Sequence, residues 1–129
     1  MGPALALADT SLFIALEHDR PLHAEPPTTL VVSVITVGEL RSGVLSAADA
    51  ATRATRLRSL AKALESEPLP VDDAVANAWA ELRARLRESG RRLAVNDSWI
   101  AATAIAHGLP LVTQDRDYTN VPGLAVVAL

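Results

Sequence analysis

Four acidic residues, Asp9, Glu39, Asp97 and Asp115, stand where apolar runs give way to turns or to helix starts. Carboxylates brought within a few ångströms of one another repel strongly, so a cluster of them is stable only when protonated or neutralised by a cation. Magnesium or manganese meets that need, since both prefer oxygen ligands and keep several waters. An ion held in this way lowers the pKa of bound water and offsets charge growing on a phosphodiester under in-line attack. The chemistry implied is phosphodiester hydrolysis with no other cofactor. Each acid also has a local structural use. Glu39 lies three residues after Thr36 and completes a capping box. Asp97, beside Asn96, complements a helix dipole. Asp9 can cap a helix, and Asp115 and Asp117 suit a turn. Singly those uses suffice. Acids recurring at several neighbouring element ends point instead to one shared site.

The elements that must position them follow from the apolar pattern. Pro3 to Ala8 is continuously apolar and ends at Asp9, as a strand buried on both faces would. Asp9 then opens a helix in which Leu12, Phe13 and Leu16 fall at helical spacing behind Thr10 and Ser11, and Pro21, Pro26 and Pro27 break the chain into a loop. A second strand is expected over Leu30 to Ile35, with Thr36 capping the helix that carries Glu39, Leu40, Val44 and Leu45. A long helix spans about Ala48 to Leu64, where Leu57, Leu60 and Leu64 align at spacings of three and four. After a short strand near Leu69 to Val71, Asp72 or Asp73 caps a helix with Val75, Trp79, Leu82 and Leu86 buried, ended by Gly90. Asn96 caps a further helix through Trp99, Ile100, Ala104 and Ile105 to His107 and Gly108. Leu109 to Thr113 and Leu124 to Leu129 complete the strands, separated by the turn Gln114 to Asp117. Strands alternating with helices imply an α/β fold with a mainly parallel central sheet flanked by helices. In such sheets the functional crevice lies outside the carboxyl ends of the strands, where Asp9 and Asp115 fall.

Composition sets the outer bounds. A chain of 129 residues, half of them hydrophobic, suits one domain over residues 1–129. Aromatics are only 3 %, so Ala, Val, Leu and Ile must fill the core. With no cysteine, disulfides and thiolate metal sites are excluded. Asp9 interrupts the first apolar run too early for a signal peptide, and no run approaches the ~20 apolar residues of a membrane span, so a cytoplasmic protein is expected. The net charge is −3 but unevenly spread: Arg53 to Arg92 holds nine basic and six acidic residues, against three and nine elsewhere. That basic segment could face RNA while the acids hold metal, although interleaved charges also suit solvated helix faces.

Other chemistries fare worse. His18 and His23 sit in or near the proline-rich loop and His107 suits a helix C-terminus, so histidine catalysis is not expected. Trp79 and Trp99 could stack bases, yet their spacing suits core or interface. A receiver-like signalling domain would need a lysine after a late strand, whereas Lys62 is the sole lysine and lies within a helix. A haloacid-dehalogenase-like phosphatase would need an acid where Ser11 stands. A catalytically silent RNA- or protein-binding module would keep the fold and use its basic helices alone.

The order of these fragments resembles the VapC toxins, PIN-domain ribonucleases of toxin–antitoxin pairs. The resemblance covers nearly the whole chain. It rests on Leu7-Ala8-Asp9-Thr10-Ser11 with Phe13 and Ile14; on Glu39-Leu40 with Gly43; on Asp97 leading into Ile100-Ala101-Ala102-Thr103-Ala104; and on Leu111-Val112-Thr113 with Asp115, Asp117 and Tyr118. It implies a PIN-like fold and an endoribonuclease that uses Mg2+ or Mn2+. Asp9, Glu39, Asp97 and Asp115 match the catalytic acids, and Asp9, Asp97, Asp115 and Asp117 the metal-binding ones. Asp117 is an alternative to Asp115 in the last position. Thr10 or Thr113 would be hydroxyl partners, and Ser11 replaces an Asn that many relatives carry. An antitoxin partner and a homodimer are also implied.

Overall fold

The computed structural model describes residues 5–22 and 29–129. Four parallel strands form one sheet in the order β2-β1-β3-β4: β1 (Leu5–Ala8), β2 (Thr29–Val31), β3 (Leu111–Thr113) and β4 (Val126–Ala128). Five helices surround it: α1 (Thr10–Glu17), α2 (Val34–Leu45), α3 (Ala50–Ala63), α4 (Asp73–Glu88) and α5 (Val95–His107). A single 3-10 turn, Arg116–Tyr118, follows β3.

Side chains alternate across a strand, and the two central strands divide accordingly. Ala6, Ala8 and Val112 face a core built from Leu12 and Phe13 of α1, Val37 and Leu40 of α2, and Leu60 and Ala63 of α3. Leu7 and Leu111 face the opposite core, with Leu82 and Leu86 of α4 and Ile100, Ala101 and Ala104 of α5. Ala6 and Ala8 of β1 and Ala101, Ala102 and Ala104 of α5 have no exposed surface and let helix and sheet approach closely. Trp79 and Trp99 stack in parallel, ring centroids 4.3 Å apart, over Val75, Ala78 and Ala102. Among the described residues, no helix is long and apolar enough to cross a membrane.

Most expected elements form, with shifted ends. The first strand is observed from Leu5, its earlier residues lying outside the described segments, as do His23, Pro26 and Pro27. β2 is shorter than Leu30 to Ile35 because Ser33 caps α2: its extended backbone lets Oγ accept from the Ile35 amide at 3.0 Å. Thr36, expected as that cap, is therefore buried in the first turn of the helix. Helix α5 starts before Asn96; Ala94 takes the cap position without a side-chain bond. Asp72 caps α4 as expected, accepting from Val75 N at 3.0 Å. The strand near Leu69 is reduced to one parallel bridge with Ser33. Leu16, Leu57 and Leu64, at helical spacing with their buried neighbours Leu12 and Leu60, are 42 %, 48 % and 39 % exposed. Gly108 closes α5 in the left-handed conformation, φ 63°, as its sequence position requires.

Candidate active site

Parallel strands deliver their carboxyl ends to one edge, and the acids gather there. Asp9 follows β1 and caps α1; its Oδ2 accepts from Ser11 N at 3.4 Å. It is 3 % exposed. A carboxylate so buried must have its lone pairs satisfied, and two further hydroxyls do this: Thr113 Oγ1 donates to Oδ2 at 2.8 Å and Tyr118 OH approaches Oδ1 at 3.1 Å. The same tyrosine hydroxyl lies 3.1 Å from Asp97 Oδ1, in the first turn of α5, and so bridges the two acids.

Asp115, at the head of the 3-10 turn, accepts from Asp117 N at 2.9 Å, and its own amide donates to Thr113 Oγ1 at 2.9 Å. The turn brings Asp115 and Asp117 toward α5. Carboxylate oxygens of Asp97, Asp115 and Asp117 all lie within 4.8 Å of one another. Glu39, half-buried on α2, is not in that group of three; its Oε1 accepts from Thr10 Oγ1 at 2.7 Å and its Oε2 lies 3.5 Å from the Asn96 amide nitrogen. Thr10 also contacts Thr36 Oγ1 at 3.0 Å, so α1 and α2 are tied beneath the site. Glu39 does not complete a capping box, because the helix is capped at Ser33.

The electrostatics carry the mark of crowded like charges. Burial first, then the negative charges of Asp9, Asp115 and Glu39, push Asp97 up to about 6, although the Tyr118 hydroxyl pulls it the other way. Burial and the adjacent Asp9 and Asp97 hold the Tyr118 proton far above the ordinary phenol range. Tyr118 therefore stays a neutral donor. Among the described residues, every hydrogen bond these carboxylates accept comes from a hydroxyl, a backbone amide or a carboxamide, and none from arginine or lysine. An oxygen-only donor set with excess negative charge fits a hard divalent cation such as Mg2+ or Mn2+.

Of the residues singled out in the sequence, Asp97, Asp115 and Asp117 lie closest together, Asp9 joins them through Tyr118 and Thr113, and Glu39 flanks them with Thr10. Tyr118 was missed as a site residue. The available signal was its place: the lone tyrosine of the chain stands three positions after Asp115, and once buried its hydroxyl needs polar partners. Ser11 was not expected in the site's hydrogen-bond network, yet its Oγ lies 3.1 Å from Thr113 Oγ1 and accepts from Gln114 N at 3.1 Å.

With this geometry in view, similarity to known proteins is informative. The PIN domain pattern matches residues 6–124. The chain is 48 % identical to ribonuclease VapC5 of Mycobacterium tuberculosis, over 98 % of this chain and 95 % of that protein. It is 46 % identical to ribonuclease VapC4 of the same organism, over the full length of both. The fold matches the crystal structure of VapBC-5, a toxin–antitoxin system from that bacterium, with a TM-score of 0.86 and 46 % identity over 98 % of each chain. The chain belongs to the PIN-domain family and, within it, to the VapC ribonucleases of toxin–antitoxin systems.

Proposed function

We propose that this chain, residues 1–129, is one PIN-like domain that cleaves RNA internally in a Mg2+- or Mn2+-dependent reaction, as the toxin of a toxin–antitoxin pair. The observation carrying this reading is the cluster of Asp97, Asp115 and Asp117 carboxylates within 4.8 Å, linked through Tyr118 to the buried Asp9. Asp97, Asp115 and Asp117 are the residues suited to hold the ion directly, and Asp9 supports it. When bound, the ion supplies an acidified water and neutralises charge on the phosphodiester. Glu39, outside the group of three and held by Thr10, is free to orient water or accept a proton. Thr113 positions Asp9 and the Asp115 backbone at once.

A toxin that cleaves cellular RNA would act in the cytoplasm, and that location belongs to the same proposal. The partner reading is supported by the relative of known structure, VapBC-5, a member of the VapBC family of toxin–antitoxin systems. An antitoxin arginine placed among the carboxylates would relieve their repulsion and exclude the ion. We assign a homodimer and antitoxin contacts to the helical faces that leave Leu16, Leu45, Leu57 and Leu64 exposed.

The test is cleavage of folded cellular RNA by the purified chain in Mg2+, in Mn2+ and in EDTA. Cleavage in either metal and none in EDTA is expected. Equal cleavage in EDTA would remove the metal from the reaction, and no cleavage in any condition would favour a silent binding module.

A further inference from the structure

Four guanidinium groups share one groove at the C-terminal end of α4. Arg83 and Arg87, one turn apart, and Arg91 and Arg92, in the link to α5, line a cavity of about 610 Å3 over the buried Leu86 and Leu93. Among the described residues, no acidic side chain lines it. Like charges one turn apart destabilise a helix, so gathering cations here is unfavourable unless an anion offsets it. Arg87 in the last turn suits the negative end of the helix. That does not account for Arg83, a turn earlier, nor for Arg91 and Arg92, beyond the helix end.

Two contacts fix the groove in place. Arg83 lies over the Trp79 ring, 5.3 Å from its centroid, and Trp79 stacks on Trp99 of α5. Arg91 donates to the carbonyl oxygens of Thr119, at 2.7 Å, and Asn120. These two residues directly follow Tyr118, and the link holding Arg91 and Arg92 runs into α5, whose first turn carries Asp97. The groove is thereby joined at two points to the elements that bear the acids.

Arginine's planar, forked donors match phosphate oxygens, and such contacts position a nucleic acid without reading its sequence. We propose that this groove binds the phosphate backbone of the RNA substrate and sets its register against the acids. The proposal rests on the ribonuclease reading above and extends it to a second contact area outside the acidic site. The direct link to the acid-bearing turn favours RNA over an acidic protein segment.

The experiment compares wild type with the double variant Arg87→Gln/Arg92→Gln, both residues being exposed and outside the acid cluster. Binding of a fluorescent single-stranded RNA is followed by anisotropy in EDTA across a range of NaCl, and cleavage kinetics are measured in Mn2+. Loss of two phosphate contacts should weaken binding roughly tenfold and lower the slope of log Kd against log salt by about 1.4, at ~0.7 per contact for single strands. KM should rise with kcat little changed. Arg87→Lys/Arg92→Lys should retain most of the affinity and guards against misfolding, which circular dichroism also checks. If wild type cleaves RNA and the Gln variant matches it in Kd, salt slope and KM, the groove proposal alone falls. It falls too if the substitution weakens binding of polyglutamate and leaves RNA binding intact. If wild type neither binds nor cleaves RNA, the ribonuclease reading falls and takes the groove with it.

Discussion

The two acids that share the Tyr118 hydroxyl have opposite relations to stability. Asp9 is buried with three donors, so Asp9→Asn leaves a hydroxyl or amide without its anionic acceptor and should destabilise the fold by about 1–3 kcal/mol while abolishing cleavage. Asp97 sits half-buried among like charges, and folding holds its proton more tightly than the unfolded chain does. In the metal-free protein its favourable contribution is therefore complete below about pH 4, declines as pH rises toward about 6, and is flat above. Urea unfolding in EDTA should show this decline in wild type and lose it in Asp97→Asn, which should be at least as stable as wild type at neutral pH. An unchanged profile would mean that Asp97 is not strained by its neighbours. Tyr118→Phe removes the bond that favours ionised Asp97. The acidic limb of the cleavage-rate profile should then move to higher pH, with stability lower by roughly 1 kcal/mol.

At the scale of elements, periodicity located the helices and the two central strands because their burial is nearly complete, and an apolar run in a sheet covered on both faces is a strong signal. Ends were less legible, since several polar residues competed for each cap. Ser33, Thr36 and Asn96 are all good caps by type, but only the path of the chain puts Ser33 rather than Thr36 at the head of α2 and leaves Asn96 inside α5, behind Ala94. Ser33→Ala should destabilise the protein by about 1 kcal/mol, read from its urea midpoint, whereas capping by Thr36 would leave it neutral. The acids were legible as residues following strands or opening helices. Their grouping was not: that Asp97 meets Asp115 and Asp117 more closely than Glu39 depends on the 3-10 turn, and Tyr118 is drawn inward by the same turn. Leu57 and Leu64 share helical spacing with the buried Leu60 yet stay exposed, because spacing reports a common face without saying what covers it. Leu111, by contrast, has no exposed surface in the sheet, and Leu111→Ala should lower stability by about 2–5 kcal/mol in the same assay.

At the scale of the molecule, the sheet gathers acids from both ends of the chain at one edge, while the arginine groove at the end of α4 is lined by none of the exposed leucines of α1 to α3. Exposed apolar side chains on α1, α2 and α3 are the expected protein contacts, Leu45 the most prominent at 81 % exposure. Leu45→Glu should shift the sedimenting species toward monomer or weaken antitoxin binding; unchanged assembly with both would place those contacts elsewhere. The acidic edge is the centre of the account, and Asp97→Asn tests it most directly. Mn2+ affinity and RNA cleavage are to be measured together on wild type and variant, with thermal unfolding as a check on the fold. The variant should remain folded, bind Mn2+ more weakly, and cleave slower by about 100-fold or more. A folded Asp97→Asn protein that binds Mn2+ and cleaves RNA as wild type does would contradict the assignment of this site.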